Sequence, residues 1–192
     1  MQIGVLALQG AFAKHLKMLE KLGVKGREVR TAKDLSDLDG LIIPGGESTT
    51  MLRLMNDENL FEPLKRFVES HPTFGTCAGA ILLAKEVKHP SQVSLEAMDI
   101  TVERNSYGRQ IDSFTQKVSV PALGDEPLEL VFIRAPGITK LGETVKILAF
   151  CQGKPVLVQE GKYLAATFHP ELTEDSRVHK LFLDMVKTLE TC

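Results

Sequence analysis

The chain has 192 residues, 43% of them hydrophobic and 25% charged, and its 23 basic and 25 acidic residues give a formal charge of −2. This composition is typical of a folded globular protein and excludes a disordered chain. The near-neutral balance predicts no nucleic-acid partner and no anionic membrane partner. The length favours one domain over residues 1–192.

The sequence carries no signal for export or for membrane insertion. Its first residues, Met-Gln-Ile-Gly-Val, lack the basic and apolar regions of a signal peptide, and no apolar run approaches the ~20 residues that span a bilayer. We therefore expect a cytoplasmic protein. The three cysteines, Cys77, Cys151 and Cys192, are too few and too widely spaced for a disulfide framework or a zinc site.

The first half of the chain alternates short apolar runs with segments whose apolar residues recur at helical spacing. The predicted strands cover residues 3–8, 28–30, 40–43 and 73–76. The predicted helices cover residues 12–22, 60–68 and 78–85. Such alternation indicates an α/β fold whose sheet is mainly parallel and has helices on both faces, a three-layer sandwich.

The second half is richer in short β segments. They are predicted at residues 99–102, 116–120, 130–133, 145–149, 156–159 and 163–167. These hairpin-like segments predict an antiparallel extension of the sheet, and a last helix is predicted over residues 178–189. Ligands of open parallel sheets bind at the carboxyl ends of the strands.

A possible nucleophile follows the predicted strand over residues 73–76. Residues 75–79 read Gly-Thr-Cys-Ala-Gly, the cysteine form of the nucleophile elbow, in which the flanking glycines permit a sharp turn between strand and helix. The amino-terminal end of the following helix favours a thiolate at Cys77. The alternative interpretation is a small buried cysteine without chemistry.

A thiol nucleophile needs a base, and His169 is the best placed of the five histidines. It follows the predicted strand over residues 163–167, and Glu171 stands two residues later, where a carboxylate can orient the imidazole. Considered alone, the His-Pro-Glu segment is more typical of a turn before the last helix. Together with the cysteine elbow, it is more typical of a base with its orienting carboxylate. We expect His15 to be a half-buried helix residue, and His71, His89 and His179 to lie in loops or on the surface.

Two further segments bear polar or glycine residues at predicted strand ends. The backbone N–H groups of Gly45 and Gly46, with that of Ala78, are candidates for an oxyanion hole, although Pro-Gly-Gly is also typical of a tight turn. Arg134 ends a β segment and is a candidate to pair with a substrate carboxylate. A solvated surface arginine is an equally good interpretation of Arg134.

Taken together, these motifs resemble the triad (class I) glutamine amidotransferases and, within them, the glutaminase subunits of two-component pyridoxal 5′-phosphate synthase. The narrower resemblance is carried by Leu-Gln-Gly at residues 8–10, Glu-Ser-Thr-Thr at 47–50, Glu-Arg-Asn at 103–105 and Ile-Arg-Ala-Pro at 133–136. The resemblance covers essentially the whole chain. It implies a flavodoxin-like fold and hydrolysis of L-glutamine to glutamate and ammonia, without a metal or a cofactor.

The resemblance also implies a role for individual residues. Cys77 is the expected nucleophile, His169 the proton carrier and Glu171 its orienting partner, while Gly46 and Ala78 hold the oxyanion. The residues expected to hold glutamine, or to lie beside the oxyanion hole, are Gln9, Gly46, Glu47, Ser48, Arg104, Ile133 and Arg134.

The implied partner is a barrel-shaped synthase subunit, in a large hetero-oligomer, that receives the ammonia through a closed route and makes pyridoxal 5′-phosphate. Three alternatives stay open. One is a glutaminase that serves another acceptor synthase, and the second is a non-catalytic scaffold of the same fold. The third is a cysteine hydrolase or redox sensor that uses the same elbow.

Overall fold

A computed structural model of the chain describes residues 1–104, 106 and 113–190. In chain order its strands are β1 (Gln2–Leu6), β2 (Lys25–Val29), β3 (Gly40–Ile43), β4 (Thr73–Thr76), β5 (Ala84–Lys88), β6 (Met98–Glu103), β7 (Ser113–Val118), β8 (Leu128–Ile133), β9 (Gly137–Leu141), β10 (Lys146–Cys151), β11 (Lys154–Glu160) and β12 (Tyr163–Ala166). Its α-helices are α1 (Phe12–Lys21), α2 (Ser48–Asp57), α3 (Phe61–Ser70), α4 (Ala78–Leu83) and α5 (Arg177–Glu190). Short 3-10 helices cover Ala32–Leu35, Pro121–Leu123 and Pro170–Leu172.

A seven-stranded sheet forms the centre, in the spatial order β10-β11-β12-β4-β3-β1-β2. Its strands run parallel from β12 to β2, whereas β10, β11 and β12 pair antiparallel. A three-stranded sheet, β5-β6-β9, and the β7–β8 hairpin complete the strand pairing of the described residues. The predicted mainly parallel sheet with an antiparallel extension is therefore confirmed.

Helices cover both faces of the central sheet. Alternation along β3 sends Leu41 and Ile43 into the core beneath α2, α3 and α4, while Ile42 enters the core beneath α1 and α5. All three β3 side chains are fully buried. A strand buried on both faces reads as a continuous apolar run, and residues 40–43 have that pattern. The three-layer arrangement expected from the sequence is confirmed.

The structure differs locally from the predicted elements. The helix predicted over residues 78–85 ends at Leu83, because Ala84 already pairs with Met98 in the β5–β6 ladder. Helix α2 was not predicted. Strands β5 and β9 were not predicted either, and β9 pairs antiparallel with β6.

The order of the parallel strands decides what lies at the sheet's rim. Strands β12, β4, β3 and β1 are adjacent, so the segments that follow them meet at one edge. Those segments contain His169, Cys77, Gly45 and Gln9 in that spatial order. Among the described residues, no helix has the length and apolar character needed to cross a bilayer.

Candidate active site

Cys77 occupies a strained turn between β4 and α4. Its backbone φ of 49° lies in the left-handed region, which costs free energy for a residue with a Cβ and is typical of functional sites. Its N–H donates to the Ala166 carbonyl at 2.8 Å. A Cβ on Gly75 would lie 2.5 Å from the Gly79 backbone, and one on Gly79 would lie 2.0 Å from the Ile43 carbonyl oxygen. Both elbow glycines are therefore required for this turn.

His169 stands beside Cys77 and is held from two sides. Its backbone N–H donates to the Val131 carbonyl at 2.8 Å, and its Nδ1 lies 2.7 Å from Glu171 Oε1. Its ring adjoins the Cys77 side chain, and both lie against Gly45. Because Nδ1 is engaged by the carboxylate, Nε2 is the nitrogen available to the thiol. Cys77, His169 and Glu171 are 6%, 6% and 4% exposed, so the three groups meet in a nearly dry setting.

The surroundings of His169 favour its charged form. Burial on its own lowers the pKa of His169, but the hydrogen bonds with Cys77 and Glu171 and the negative charge of both partners outweigh burial and raise that pKa to about 10. A protonated imidazole beside the sulfur stabilises negative charge there. This arrangement is that of an activated thiol nucleophile with its base and an orienting carboxylate.

The glycine loop after β3 lies against His169 and Cys77. A Cβ on Gly45 would meet the His169 ring at 2.3 Å and Cys77 Cβ at 3.3 Å. Gly46 packs on the Gln9 side chain, since a Cβ there would lie 2.3 Å from Gln9 Oε1. Ala78 is the first residue of α4, where a backbone N–H has no acceptor within the helix. The structure thus gathers Gln9, Gly46 and Ala78 around the nucleophile.

A second polar group borders this loop. Glu47 Oε1 accepts from Arg104 Nη2 at 3.1 Å, and the Glu47 N–H donates to Gln9 Oε1 at 2.9 Å. Ser48 is buried, and its hydroxyl donates to Gln92 Oε1 at 2.9 Å. These contacts link Arg104 and Gln9 to Glu47 at the sheet rim.

The carboxyl end of β8 also lies beside the nucleophile. The Ile133 carbonyl lies 3.9 Å from Cys77 Sγ, while the Ile133 side chain is exposed. Arg134 is exposed and has a φ of 45°, a second left-handed non-glycine residue at this rim. The remainder of the Glu-Arg-Asn stretch, at Asn105 and residues 107–110, lies outside the described residues, as does Cys192.

Sequence reasoning missed four polar residues that the structure places around the site: His15, Thr76, Gln92 and His179. The expectation that His15 is half-buried is wrong, since it is 0% exposed. The expectation that His179 lies in a loop or on the surface is also wrong, because it is fully buried on α5. Helical spacing could have found both, since His15 shares a stripe with Leu19, and His179 with Phe182.

No group of three or more potential metal-binding side chains occurs in the part of the chain that the structure describes. Cys151, the other described cysteine, is buried with its sulfur 3.5 Å from Gln116 Oε1, and burial raises the pKa of its thiol.

Residues 5–188 match the SNO glutamine amidotransferase family. The chain belongs to this family. A Thermotoga neapolitana protein, named pyridoxal 5′-phosphate synthase subunit PdxT, is 51% identical over 97% of this chain and 100% of its own length. A Koribacter versatilis protein with the same name is 55% identical over 97% of this chain and 96% of its own. The family predicted from the motifs is confirmed.

A solved glutamine amidotransferase shares the fold. That structure superposes with a TM-score of 0.90 at 47% sequence identity and covers 96% of this chain and 98% of its own. The α/β architecture of this glutamine amidotransferase is therefore that of its family.

Proposed function

We propose that the chain is the glutaminase subunit of a pyridoxal 5′-phosphate synthase, which hydrolyses L-glutamine and supplies the ammonia to a partner subunit. The observation that carries the proposal is the contact of Cys77 with His169 and of His169 with Glu171 at the rim of the sheet. The PdxT relatives, with about half of their residues identical over the whole chain, support the pathway.

In the proposed mechanism Cys77 Sγ attacks the side-chain amide carbon of glutamine. His169 already holds the thiol proton in its charged form and delivers it to the amide nitrogen as the C–N bond breaks and ammonia leaves. Water then adds to the glutamyl thioester, with His169 as base, to give glutamate and the free thiol. Glu171 keeps Nδ1 engaged at 2.7 Å, so that Nε2 faces the sulfur throughout.

The tetrahedral intermediates place negative charge on the former amide oxygen. The backbone N–H groups of Gly46 and Ala78 are the proposed donors to it, with Gln9 packed against Gly46. Donors fixed by the backbone need no rearrangement during the reaction, which is the source of their catalytic effect.

Glutamine itself is held by polar groups beyond the loop. The proposed groups are Glu47, Ser48 and Arg104, of which Glu47 and Arg104 are ion-paired, together with Ile133 and Arg134, of which Ile133 lies beside Cys77. An arginine can bind the α-carboxylate of glutamine through two parallel hydrogen bonds, and the exposed Arg134 side chain can turn toward it. A contact to the synthase subunit is the alternative role for Arg134.

The proposed partner is a barrel-shaped synthase subunit within a cytoplasmic hetero-oligomer. Ammonia released in water at neutral pH becomes ammonium, which is no nucleophile, so a closed route to the acceptor keeps the reactive form. The synthase combines this ammonia with a pentose phosphate and a triose phosphate.

The test measures glutamate release from glutamine with and without the cognate synthase subunit. We expect Cys77→Ala to abolish release, and Cys151→Ala, the matched removal of a buried thiol away from the site, to keep the parent rate. Release should rise on addition of the synthase. Release that ignores the synthase would overturn the pathway while keeping the glutaminase, and release by Cys77→Ala would overturn the nucleophile.

A further inference from the structure

Two buried histidines lie directly behind the triad. His15 on α1 and His179 on α5 are both 0% exposed. His15 Nδ1 lies 2.9 Å from His179 Nε2, and His15 Nε2 lies 3.1 Å from the Thr76 hydroxyl. The same Nε2 is 3.5 Å from Glu171 Oε2. A line of polar side chains thus runs from the core to the back of the Glu171 carboxylate.

The two oxygens of the Glu171 carboxylate differ in their hydrogen bonding. Its Oε1 accepts from His169, but Oε2 is buried and makes no hydrogen bond within the residues that the structure describes. A buried carboxylate oxygen without a donor is costly. His15 Nε2 is the ring nitrogen that faces this oxygen, so the protonation of His15 decides whether the contact is attractive.

The buried setting disfavours the charged form of both histidines. Burial, followed by the nearby His179 and His169, lowers the pKa of His15 well below its ordinary value. Burial lowers the pKa of His179 to about 4. One hydrogen therefore lies between His15 Nδ1 and His179 Nε2, and the two possible tautomer pairs can be compared by their remaining hydrogen bonds.

In one tautomer pair His15 Nδ1–H donates to His179. This leaves His179 Nδ1–H as a buried donor, and that atom has no partner among the described residues. It also turns the bare lone pair of His15 Nε2 toward the carboxylate. In the other pair His179 Nε2–H donates to His15, and His15 Nε2–H points at Thr76 and Glu171. His179 Nδ1 is then an unpaired acceptor, and an unpaired buried acceptor is less costly than an unpaired donor.

We propose that His15 is a positioning residue of the glutaminase reaction, whose Nε2–H, held in that tautomer by His179, fixes the second oxygen of Glu171 and thereby the ring of His169. The inference rests on the proposed triad. Glu171 Oε2 is 3.5 Å away, a distance of the kind that shortens when substrate orders a site. Without this donor the carboxylate turns, and the imidazole loses its alignment with Cys77.

The kinetic test uses two His15 variants in the complex with the synthase subunit. His15→Gln keeps an amide N–H near the position of Nε2, whereas His15→Leu keeps the bulk and removes the donor. We expect His15→Leu to lower kcat about 10- to 100-fold with KM unchanged, and His15→Gln to recover most of the loss. His71→Leu is the control, since His71 stacks on Phe67 away from the site, at 3.9 Å between ring centroids.

Parent-like kcat in folded His15→Leu, or an equal loss in His15→Gln, would overturn the inference and leave the triad intact. Activity in Cys77→Ala would instead overturn the triad on which it rests. Because a buried variant can fail to fold, ¹⁵N NMR of histidine-labelled parent chain gives an independent answer. We expect His15 to be protonated at Nε2 and bare at Nδ1, and the opposite pattern would overturn the inference.

Discussion

At the scale of single residues, Gly45 shows how little space the site leaves. A Cβ there would lie 2.3 Å from His169 Cε1 and 2.8 Å from Nδ1, the atom bonded to Glu171. We predict that Gly45→Ala pushes the ring off that carboxylate and lowers kcat about 100-fold, since small misplacements of a catalytic group cost this much. Glutamate release with the synthase present measures the effect, and urea unfolding checks that the variant folds.

The matched control for Gly45→Ala is Gly161→Ala. Gly161 has a φ of 53°, and a Cβ added to it would have no atom within 4 Å. The change should cost about 1 kcal/mol of stability through backbone strain and leave kcat unchanged. Parent-like kcat in Gly45→Ala would show that the imidazole does not depend on the position at which the structure holds it.

At the scale of elements, Glu47 caps α2 with a charged side chain. Its carboxylate accepts from the Thr49 and Thr50 backbone N–H groups at 3.4 and 2.9 Å. Partial burial raises the pKa of Glu47, but hydrogen bonds from Thr49 and Thr50 outweigh it and lower that pKa from 4.5 to about 2. The charged cap therefore stabilises the folded chain above pH 4.5, and this stabilisation is lost as the pH falls toward 2.

We predict that Glu47→Gln lowers the free energy of unfolding by about 1 kcal/mol at pH 7, because a neutral amide is a weaker acceptor for the two N–H groups. Since Glu47 is about half exposed, with a side-chain exposure of 48%, solvent screening limits the effect. Urea unfolding at several pH values tests this. The difference between parent and variant should stay constant down to about pH 5 and shrink below about pH 4.5, and an undiminished difference at about pH 3.5 would contradict the cap.

Comparison of the elements shows what local sequence could determine. Apolar runs such as residues 40–43 predicted the parallel strands, because a strand buried on both faces has no polar alternation. Because Cys77 and His169 each follow a predicted strand, the sequence also predicted that they lie at the same edge of the sheet, although they are far apart in the chain. In α2, by contrast, the glycines and the polar Glu47–Thr50 segment hid a helix whose apolar residues begin only at Met51.

Short sequence motifs predicted some residues of the candidate site. Residues that only the packing of distant helices brings to the site could not be predicted. Cys77, His169 and Glu171 stand in short motifs, so their types and spacing predicted them. His15 and His179 are 164 residues apart, and only the packing of α1 and α5 on one face of the sheet brings their rings together. That packing also buries both rings completely, which no sequence pattern contains.

At the scale of the whole molecule, one apolar core joins the two ends of the chain. Beneath α1 and α5 it includes Ile3 and Val5 of β1 together with Phe182 and Val186 of α5. Phe182 is fully buried, and its ring centroid lies 5.7 Å from that of Phe74 in β4. If residues 1–192 form a single domain, loss of this contact lowers the opening free energy of β1 as well as that of α5.

We predict that Phe182→Ala lowers the free energy of unfolding by about 3–5 kcal/mol, the cost of deleting a fully buried phenylalanine. Leu189→Ala, on the same helix but at a residue 47% exposed, should change it by less than about 0.5 kcal/mol. Amide hydrogen exchange gives the decisive measurement, because it reports the opening free energy at each strand and helix. In Phe182→Ala the slowest amides of β1 and α5 should lose the same free energy. If those of α5 weakened while β1 kept its protection, the carboxyl-terminal helix would open by itself and the chain would not unfold as one unit.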